Sequence, residues 1–279
     1  MICHPAVKIN LGLSVLRKRE DGYHDIETLF YPSDAFSDTL EIIPGDGWSE
    51  TSASLFERYS GAEIAQGISP DGALMITLAK CGGVDWDPLK DLTAKAYYLL
   101  AAQYKLPPMK IFLEKTSPVG AGLGGGSSDC ACALQMIASI AGLSLDETAL
   151  AALASQLGSD CAFFVYNRPM MGRGRGELLS PYDIDLSDFE LRVIVPSVVS
   201  VSTAEAYRGI VPKLPLIPIE DALARPVKQW KDCLVNDFET TVFAAHPELA
   251  AIKQELYDQG AVYASMSGSG SALFALFRK

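Results

Sequence analysis

Apolar and polar residues alternate strictly over residues 8–15. Ile9, Leu11, Leu13 and Val15 fall on one face, and Lys8, Asn10, Gly12 and Ser14 on the other. A period of two predicts a strand with one buried face. The charged run 17–21 followed by Gly22 reads as a turn, and strand-like stretches follow at 26–30, 39–43, 73–78 and 109–113. Asp91 stands as an N-cap before a helix from Leu92 to about Gln103. A second helix is expected from Ser127 and Ser128 to about Ala141. A third is opened by the capping-box spacing of Ser144 and Glu147 and closed by Gly158. Strands are expected again at 191–195, 261–266 and 271–277, with helical segments at 203–208 and from Pro247 to Gly260. Strands and helices mix without a regular βα repeat, which predicts an α+β fold. The loop-like stretch 167–176 suggests a boundary between a lobe at 1–168 and a lobe at 169–279.

Composition narrows the classes. The 279 residues are 49% hydrophobic and 20% charged, which excludes a disordered chain. Lys and Arg number 23 against 34 Asp and Glu, a net charge of −11. That balance argues against nucleic acid as a partner. An anionic small molecule would have to be held by local dipoles and a few cations against the overall field. No stretch suits a membrane; the uncharged run 130–145 is too short and contains Gln135. The first ten residues lack the apolar core of a signal peptide. The six cysteines form no CxxC pair and the three histidines are scattered. The cysteines therefore read as reduced thiols of a cytoplasmic protein with no metal site; the chain is expected to act as a monomer or homodimer.

The strongest chemical signal is the tract Pro118-Val119-Gly120-Ala121-Gly122-Leu123-Gly124-Gly125-Gly126-Ser127-Ser128-Asp129. Glycines let backbone amides approach an anion, and the helix that follows adds unpaired N–H groups and the positive end of its dipole. Such a cradle holds phosphate with few cations. It is no Walker A loop, because Ser127 rather than a lysine follows Gly126. Gly120, Gly122 and Gly125 formally satisfy GxGxxG, but residues 114–119 separate them from the preceding strand, unlike a dinucleotide-binding turn. Four weaker signals accompany it: Lys8 with Asn10 on the first strand; the turn Asp21-Gly22-Tyr23-His24; Asp160 within Leu157-Gly158-Ser159-Asp160; and the glycine–serine turn at 265–271. Taken singly, each has a plain reading as a solvated lysine, a surface turn, a helix cap or a hairpin loop.

Together, in this order along the chain, these motifs resemble the GHMP kinase superfamily. The Asp-Gly-Tyr-His turn and the extended Gly-Gly-Gly-Ser-Ser-Asp form resemble the branch that acts on a cytidine-diphosphate-linked methylerythritol. The resemblance runs from Lys8 to Phe277. It implies a two-lobed α+β fold, with an N-terminal lobe like the second domain of ribosomal protein S5 and a ferredoxin-like C-terminal lobe. It implies ATP as phosphoryl donor to the 2-hydroxyl of that acceptor in non-mevalonate isoprenoid biosynthesis. Mg²⁺ is expected to arrive with ATP, without named protein ligands. Pro118, Val119, Gly120, Ala121, Gly122, Leu123, Gly124, Gly125, Gly126, Ser127 and Ser128 would wrap the ATP phosphates. Lys8 and Asp160 match the catalytic pair. Asn10, Tyr23, His24, Thr203 and Tyr207 match the acceptor site, with Tyr23 and Tyr207 as stacking rings and His24 reading the base edge.

This sequence departs from the family pattern in places. Asp91 replaces a usual asparagine near the adenine pocket and cannot donate a hydrogen bond as asparagine does, leaving Lys95 as another candidate there. Cys130 and Cys132 stand where alanines are usual, and Arg173 and Arg175 read as a solvated turn. Rival readings are another kinase of the superfamily, for homoserine, mevalonate or a sugar, and a non-catalytic nucleotide-binding protein. An NAD-dependent oxidoreductase fails on the context of its glycines.

Overall fold

In the computed structural model, which describes residues 1–197 and 199–279, the chain forms two compact units, and neither is a continuous stretch. The first gathers residues 1–7, 36–117 and 125–167; the second gathers residues 8–35, 118–124 and 168–279. Residue 168 begins the last stretch of the second unit. The segments 8–35 and 118–124 join that unit from earlier in the chain.

The first unit is built on a five-stranded sheet. Its strands are β1 (Ile2–Cys3), β4 (Thr39–Pro44), β7 (Met109–Lys115), β6 (Leu74–Lys80) and β5 (Ile64–Ile68), in that spatial order. All pairs are antiparallel except β6 and β7, where Ile76 lies opposite Ile111. Alternation on the strands sends side chains to both faces, and both are used. Leu40, Ile42, Ile111 and Leu113 are fully buried, whereas Ile43, Ala79 and Phe112 form a small cluster with Leu55 of α1 (Ser52–Arg58). Helices α2 (Leu92–Ala101), α3 (Gly125–Ile140), α4 (Glu147–Leu157) and α5 (Cys161–Tyr166) complete this unit, with α3 packed against the other three.

The cap of α4 differs from the expectation. Asp146, not Ser144, accepts from a first-turn amide, that of Ala149, at 2.7 Å. Asp146 directly precedes Glu147, so it is the residue with the non-helical backbone a cap needs. Gly158 closes the helix as expected.

The second unit holds two sheets. One contains β2 (Ala6–Lys18), β3 (His24–Ser37), β8 (Met170–Arg173) and β9 (Leu178–Pro181). Strand β8 lies inside the stretch read as a loop. It is only four residues long and takes its order from β3, with Leu29 opposite Met171. The other sheet is antiparallel, in the order β10 (Phe189–Ile194), β12 (Leu273–Arg278), β11 (Tyr263–Met266). Its core includes Val242 of α8 (Phe238–Ala245), Leu249 and Leu256 of α9 (Pro247–Asp258), and Ala206 of α6 (Thr203–Tyr207). Strand β2 differs from a half-buried strand in one decisive respect. Its polar face is closed off as well: Lys8 is 3% exposed and Asn10 1%. Buried polar groups need partners, so that face is where a site should be sought.

The cysteine expectation is corrected for one pair. Cys3 and Cys132 form a disulfide, while Cys81, Cys130, Cys161 and Cys233 are free thiols. The pairing joins edge strand β1 to α3, two elements that lie 129 residues apart in the sequence and that no spacing rule connects. Among the described residues no helix is long and apolar enough to cross a membrane.

The cap assignment makes a prediction. Asp146→Ala should cost about 1 kcal/mol, the usual worth of an N-cap, and lower Tm by about 2–4 °C. Ser144→Ala should leave Tm within about 1 °C, since surface changes away from such features are usually near neutral. Thermal melts of the two variants distinguish the caps.

Candidate active site

Within the second unit a chain of hydrogen bonds runs along the polar face of β2. The Lys8 ammonium donates to Asn10 Oδ1 at 2.6 Å and to the Gly122 carbonyl at 2.8 Å. Asn10 Nδ2 donates to Thr28 Oγ1 at 3.0 Å, and Thr28 donates on to the Gly12 carbonyl. The Lys8 backbone amide donates to the Leu123 carbonyl at 2.9 Å, and the ammonium lies 5.5 Å from the centre of the Phe30 ring. Lys8 and Asn10 are thus fixed to the middle of the glycine tract rather than solvated.

The tract itself has the backbone of an anion nest. Gly120, Gly122 and Gly124 have φ of 73°, 79° and 73°, while Ala121 and Leu123 between them do not share positive φ. Alternation of this kind turns successive N–H groups toward one side. At Gly122 glycine is required on a second ground, because a Cβ there would collide with the Ser267 carbonyl oxygen. The glycine–serine turn at 267–270 therefore packs on the glycine tract. Ser267 Oγ donates to the Gly122 carbonyl at 3.1 Å, and the Ala272 amide to the Ala121 carbonyl at 3.1 Å. Asn236 holds the same turn from behind, its Nδ2 donating to the carbonyls of Met266 and Gly268, each at 2.8 Å. Asn236 escaped sequence reasoning; its only signal was an Asn-Asp pair set between Leu234 and Phe238, both buried.

In the first unit the tract continues into α3, which starts at Gly125, two residues earlier than expected. The first-turn amides of a helix have no acceptor within it and face the same side as its positive dipole end. Ser127 hydrogen-bonds with Cys161, the first residue of α5. Cys161 also accepts from Cys130, a bond that lowers its thiol pKa and raises that of Cys130. Asp160 precedes Cys161 at the N-cap position, yet its side chain makes no capping bond; Ser159 Oγ lies 3.3 Å from its Oδ1. Ser127 and Asp160 are thereby brought to neighbouring helix ends, a juxtaposition that the sequence, where they stand 33 positions apart, does not display.

Beneath the start of α3 lies a buried ionic cluster. Lys115 Nζ donates to Asp38 and, at 2.6 Å, to Asp129 Oδ2. All three side chains are at most 4% exposed. Burial pushes the Asp129 carboxyl well above the ordinary carboxylate range despite the nearby ammonium. Burial opposes the Lys115 charge, but Asp129 and Asp38 outweigh it and hold the ammonium above its ordinary value. Asp38 and Lys115 had no signal in the sequence, where each reads as a single charge at a strand end.

The predicted acceptor residues divide into two groups. His24 and Tyr207 stack, with ring centres 4.6 Å apart and planes inclined 21°, and Tyr207 meets Phe238 edge-on at 4.7 Å. Burial and the nearby Lys18 hold the His24 imidazole below its ordinary pKa, so it is neutral at pH 7. Tyr23, the chain neighbour of His24, has a cation beside its ring. It is 57% exposed, with the Arg175 guanidinium 5.0 Å from its ring centre. Arg175 thus has a ring partner while its side chain stays 37% exposed, and Arg173 pairs with Glu27 and Glu220. Thr203 Oγ1 lies 3.3 Å from Ser269 Oγ, which ties α6 to the glycine–serine turn. Asp91 is committed to its helix: it accepts from the Thr93 amide, the Thr93 hydroxyl and the Trp86 indole. Lys95 is exposed on the same helix.

Residues 91–168 match the GHMP kinases N terminal domain and residues 219–279 the GHMP kinases C terminal domain, which sets the class. A protein of Bacteroides thetaiotaomicron is 44% identical over 277 residues, covering 99% of this chain and 92% of its own length. One of Azobacteroides pseudotrichonymphae is 43% identical over 280 residues, covering 100% and 94%. Both are named 4-diphosphocytidyl-2-C-methyl-D-erythritol kinase, and this chain belongs to that family of kinases. A crystal structure of 4-(cytidine 5'-diphospho)-2C-methyl-D-erythritol kinase is 32% identical, with a TM-score of 0.71 over 99% of this chain and 90% of that one. A homoserine kinase from Cytophaga hutchinsonii has a TM-score of 0.61 at 17% identity, covering 100% and 84%, and shares the fold alone.

The clash at Gly122 is testable. Gly122→Ala forces a left-handed backbone on alanine and a Cβ onto the Ser267 carbonyl, so it should cost about 1–3 kcal/mol. Gly120→Ala, with open space around its Cβ, carries only the backbone penalty and should be the milder of the two. Denaturant unfolding of both variants orders them.

Proposed function

We propose that this chain transfers the γ-phosphoryl group of ATP to the 2-hydroxyl of 4-diphosphocytidyl-2-C-methyl-D-erythritol, in the cytoplasm, as a step of non-mevalonate isoprenoid precursor synthesis. The observation that carries this is the identity of 40% or more along the whole chain with several kinases of that name. The site chemistry supports it. Phosphoryl transfer asks mainly for in-line positioning and charge neutralisation. Amides of the tract 118–128 hold the triphosphate and take up the charge spreading over its oxygens. The acceptor oxygen attacks the γ-phosphorus, the bond to the β-phosphate bridging oxygen breaks, and ADP leaves.

The acceptor is a tertiary alcohol, hindered and very weakly acidic. Asp160 accepts the hydrogen bond of its hydroxyl and takes up the proton. The Lys8 ammonium stabilises the negative charge developing on the oxygen. Asn10 orients Lys8 and contributes to the acceptor site. Tyr23, His24, Thr203 and Tyr207 bind the cytidine end, far from the reacting atoms, where binding energy fixes orientation. The His24–Tyr207 stack acts as one aromatic platform, and Tyr23, backed by Arg175, as the other ring. Mg²⁺ accompanies the nucleotide. It would be held mainly by phosphates and water.

The decisive assay is ADP release with this acceptor against mevalonate, homoserine and galactose. A preference for another of these moves the chain to a different kinase activity. Asp160→Ala should lower kcat about 10²–10⁴-fold, the usual contribution of general acid–base catalysis. Tyr23→Ala should raise KM for the cytidyl acceptor about tenfold, the worth of one stacking contact. Its KM for ATP should stay within about twofold. Turnover of Asp160→Ala near that of the unaltered enzyme would remove the role given to that carboxylate.

A further inference from the structure

We propose that Lys115, bridging Asp38 and Asp129, is a positioning residue for the nucleotide: it sets the separation of the two stems of the glycine tract and thereby the affinity for ATP. The proposal builds on the phosphate-holding role given to residues 118–128.

The two stems converge on one ammonium. On the entry side, the backbone amides of Thr116 and Ser117 donate to Asp38 Oδ1 at 2.6 and 2.7 Å, and Ser117 Oγ donates to Asp38 Oδ2. On the exit side, Asp129 sits early in α3. Lys115 reaches Asp38, Ser117 Oγ at 3.3 Å and Asp129 Oδ2 at 2.6 Å. The stems also touch directly. A Cβ on Gly125 would lie 2.5 Å from Ser117 Oγ and 3.6 Å from Lys115 Nζ. The residues between Ser117 and Gly125 therefore span a gap whose width the cluster dictates. In a short loop, the distance between the ends restricts the backbone angles open to the interior, and those angles aim the amides.

Stability alone is a poor reason for such a cluster. Three charges have been taken out of water, and well-packed apolar residues commonly serve a core as well or better. Among the described residues, moreover, Asp129 Oδ1 is buried with no hydrogen-bond partner, a standing cost. What an apolar filling could not do is fix two backbone stems at one distance with directed bonds. Asp91, the capping residue of α2, is the further carboxylate felt by Asp129.

The test compares the unaltered enzyme with Lys115→Met, Lys115→Arg and Asp129→Asn. ADP affinity is measured by calorimetry without acceptor, alongside both KM values, kcat and Tm. Lys115→Met should weaken ADP binding about tenfold or more and raise KM for ATP in parallel, with the acceptor KM within about twofold. Lys115→Arg, which keeps the charge, should recover part of the loss. A merely structural cluster would lower Tm and the active fraction while leaving ADP affinity per folded molecule unchanged; that result would overturn the proposal. Should Lys115→Met not fold, Asp129→Asn decides, since it keeps side-chain volume and the Lys115–Asp38 pair. Weakening of ADP binding by about threefold or more supports the role, and unchanged binding refutes it. ADP binding without turnover of the cytidyl acceptor would strike at the acceptor assignment and leave this test intact. Failure of the unaltered enzyme to bind ADP would overturn both.

Discussion

A lysine ammonium shut away from water, with a carbonyl of the glycine tract as one of its acceptors, is the constraint around which the site is arranged. Lys8 Nζ reaches the Gly122 carbonyl, and the same carbonyl accepts from Ser267. An ammonium that is 3% exposed must find its acceptors within the protein. It finds two of them in Asn10 and in a backbone oxygen that becomes available only if residue 122 has a left-handed backbone. Strand, glycine tract and glycine–serine turn are therefore mutually dependent. Gly122 lets the Ser267 carbonyl approach, and Asn236 holds the turn that brings it there. Three motifs far apart in sequence meet because one buried charge and one missing side chain both require it.

The two units differ in chemistry. The second carries an ammonium, the alternating glycine backbone and the aromatic residues of the proposed cytidine site. The first carries a helix N-terminus, a carboxylate at the head of a short helix, and the buried ionic cluster. In the proposed reading an acidic chain offers phosphate a favourable site with few formal cations, because the attraction comes from oriented amides. The deficit of basic residues is compatible with an anionic ligand once the charge is seen as local.

How much of this could be read in the sequence follows from the range of each signal. The glycine tract, the alternating first strand and the cap at Asp91 were legible because each is a local pattern with a local cause. Lys8, Asn10 and Asp160 were legible as members of an ordered set of motifs, not one by one. The buried polar face of β2 was hidden, since alternation announces one apolar face and says nothing of what covers the other. Asp38 and Lys115 were invisible for a related reason. They lie 77 residues apart, and each alone resembles a solvated strand end. The Asp146 cap was missed because Ser144 offered a competing motif two residues away. Strand β8 was missed because four residues carry too little periodicity to stand out. The same holds for Cys3 and Cys132, whose neighbours in sequence give no hint of each other.

The interleaving of the units has a consequence for biosynthesis. As the chain leaves the ribosome, everything belonging to the first unit has been made once Asn167 emerges. The second cannot close until residues 267–270, which pack on Gly122, have been translated almost at the carboxyl end. Until then Lys8 lacks the arrangement that shelters its charge, and the glycine tract lacks the turn that shapes it. The nascent chain thus holds all of its first unit about a hundred residues before it holds the turn that shapes the glycine tract.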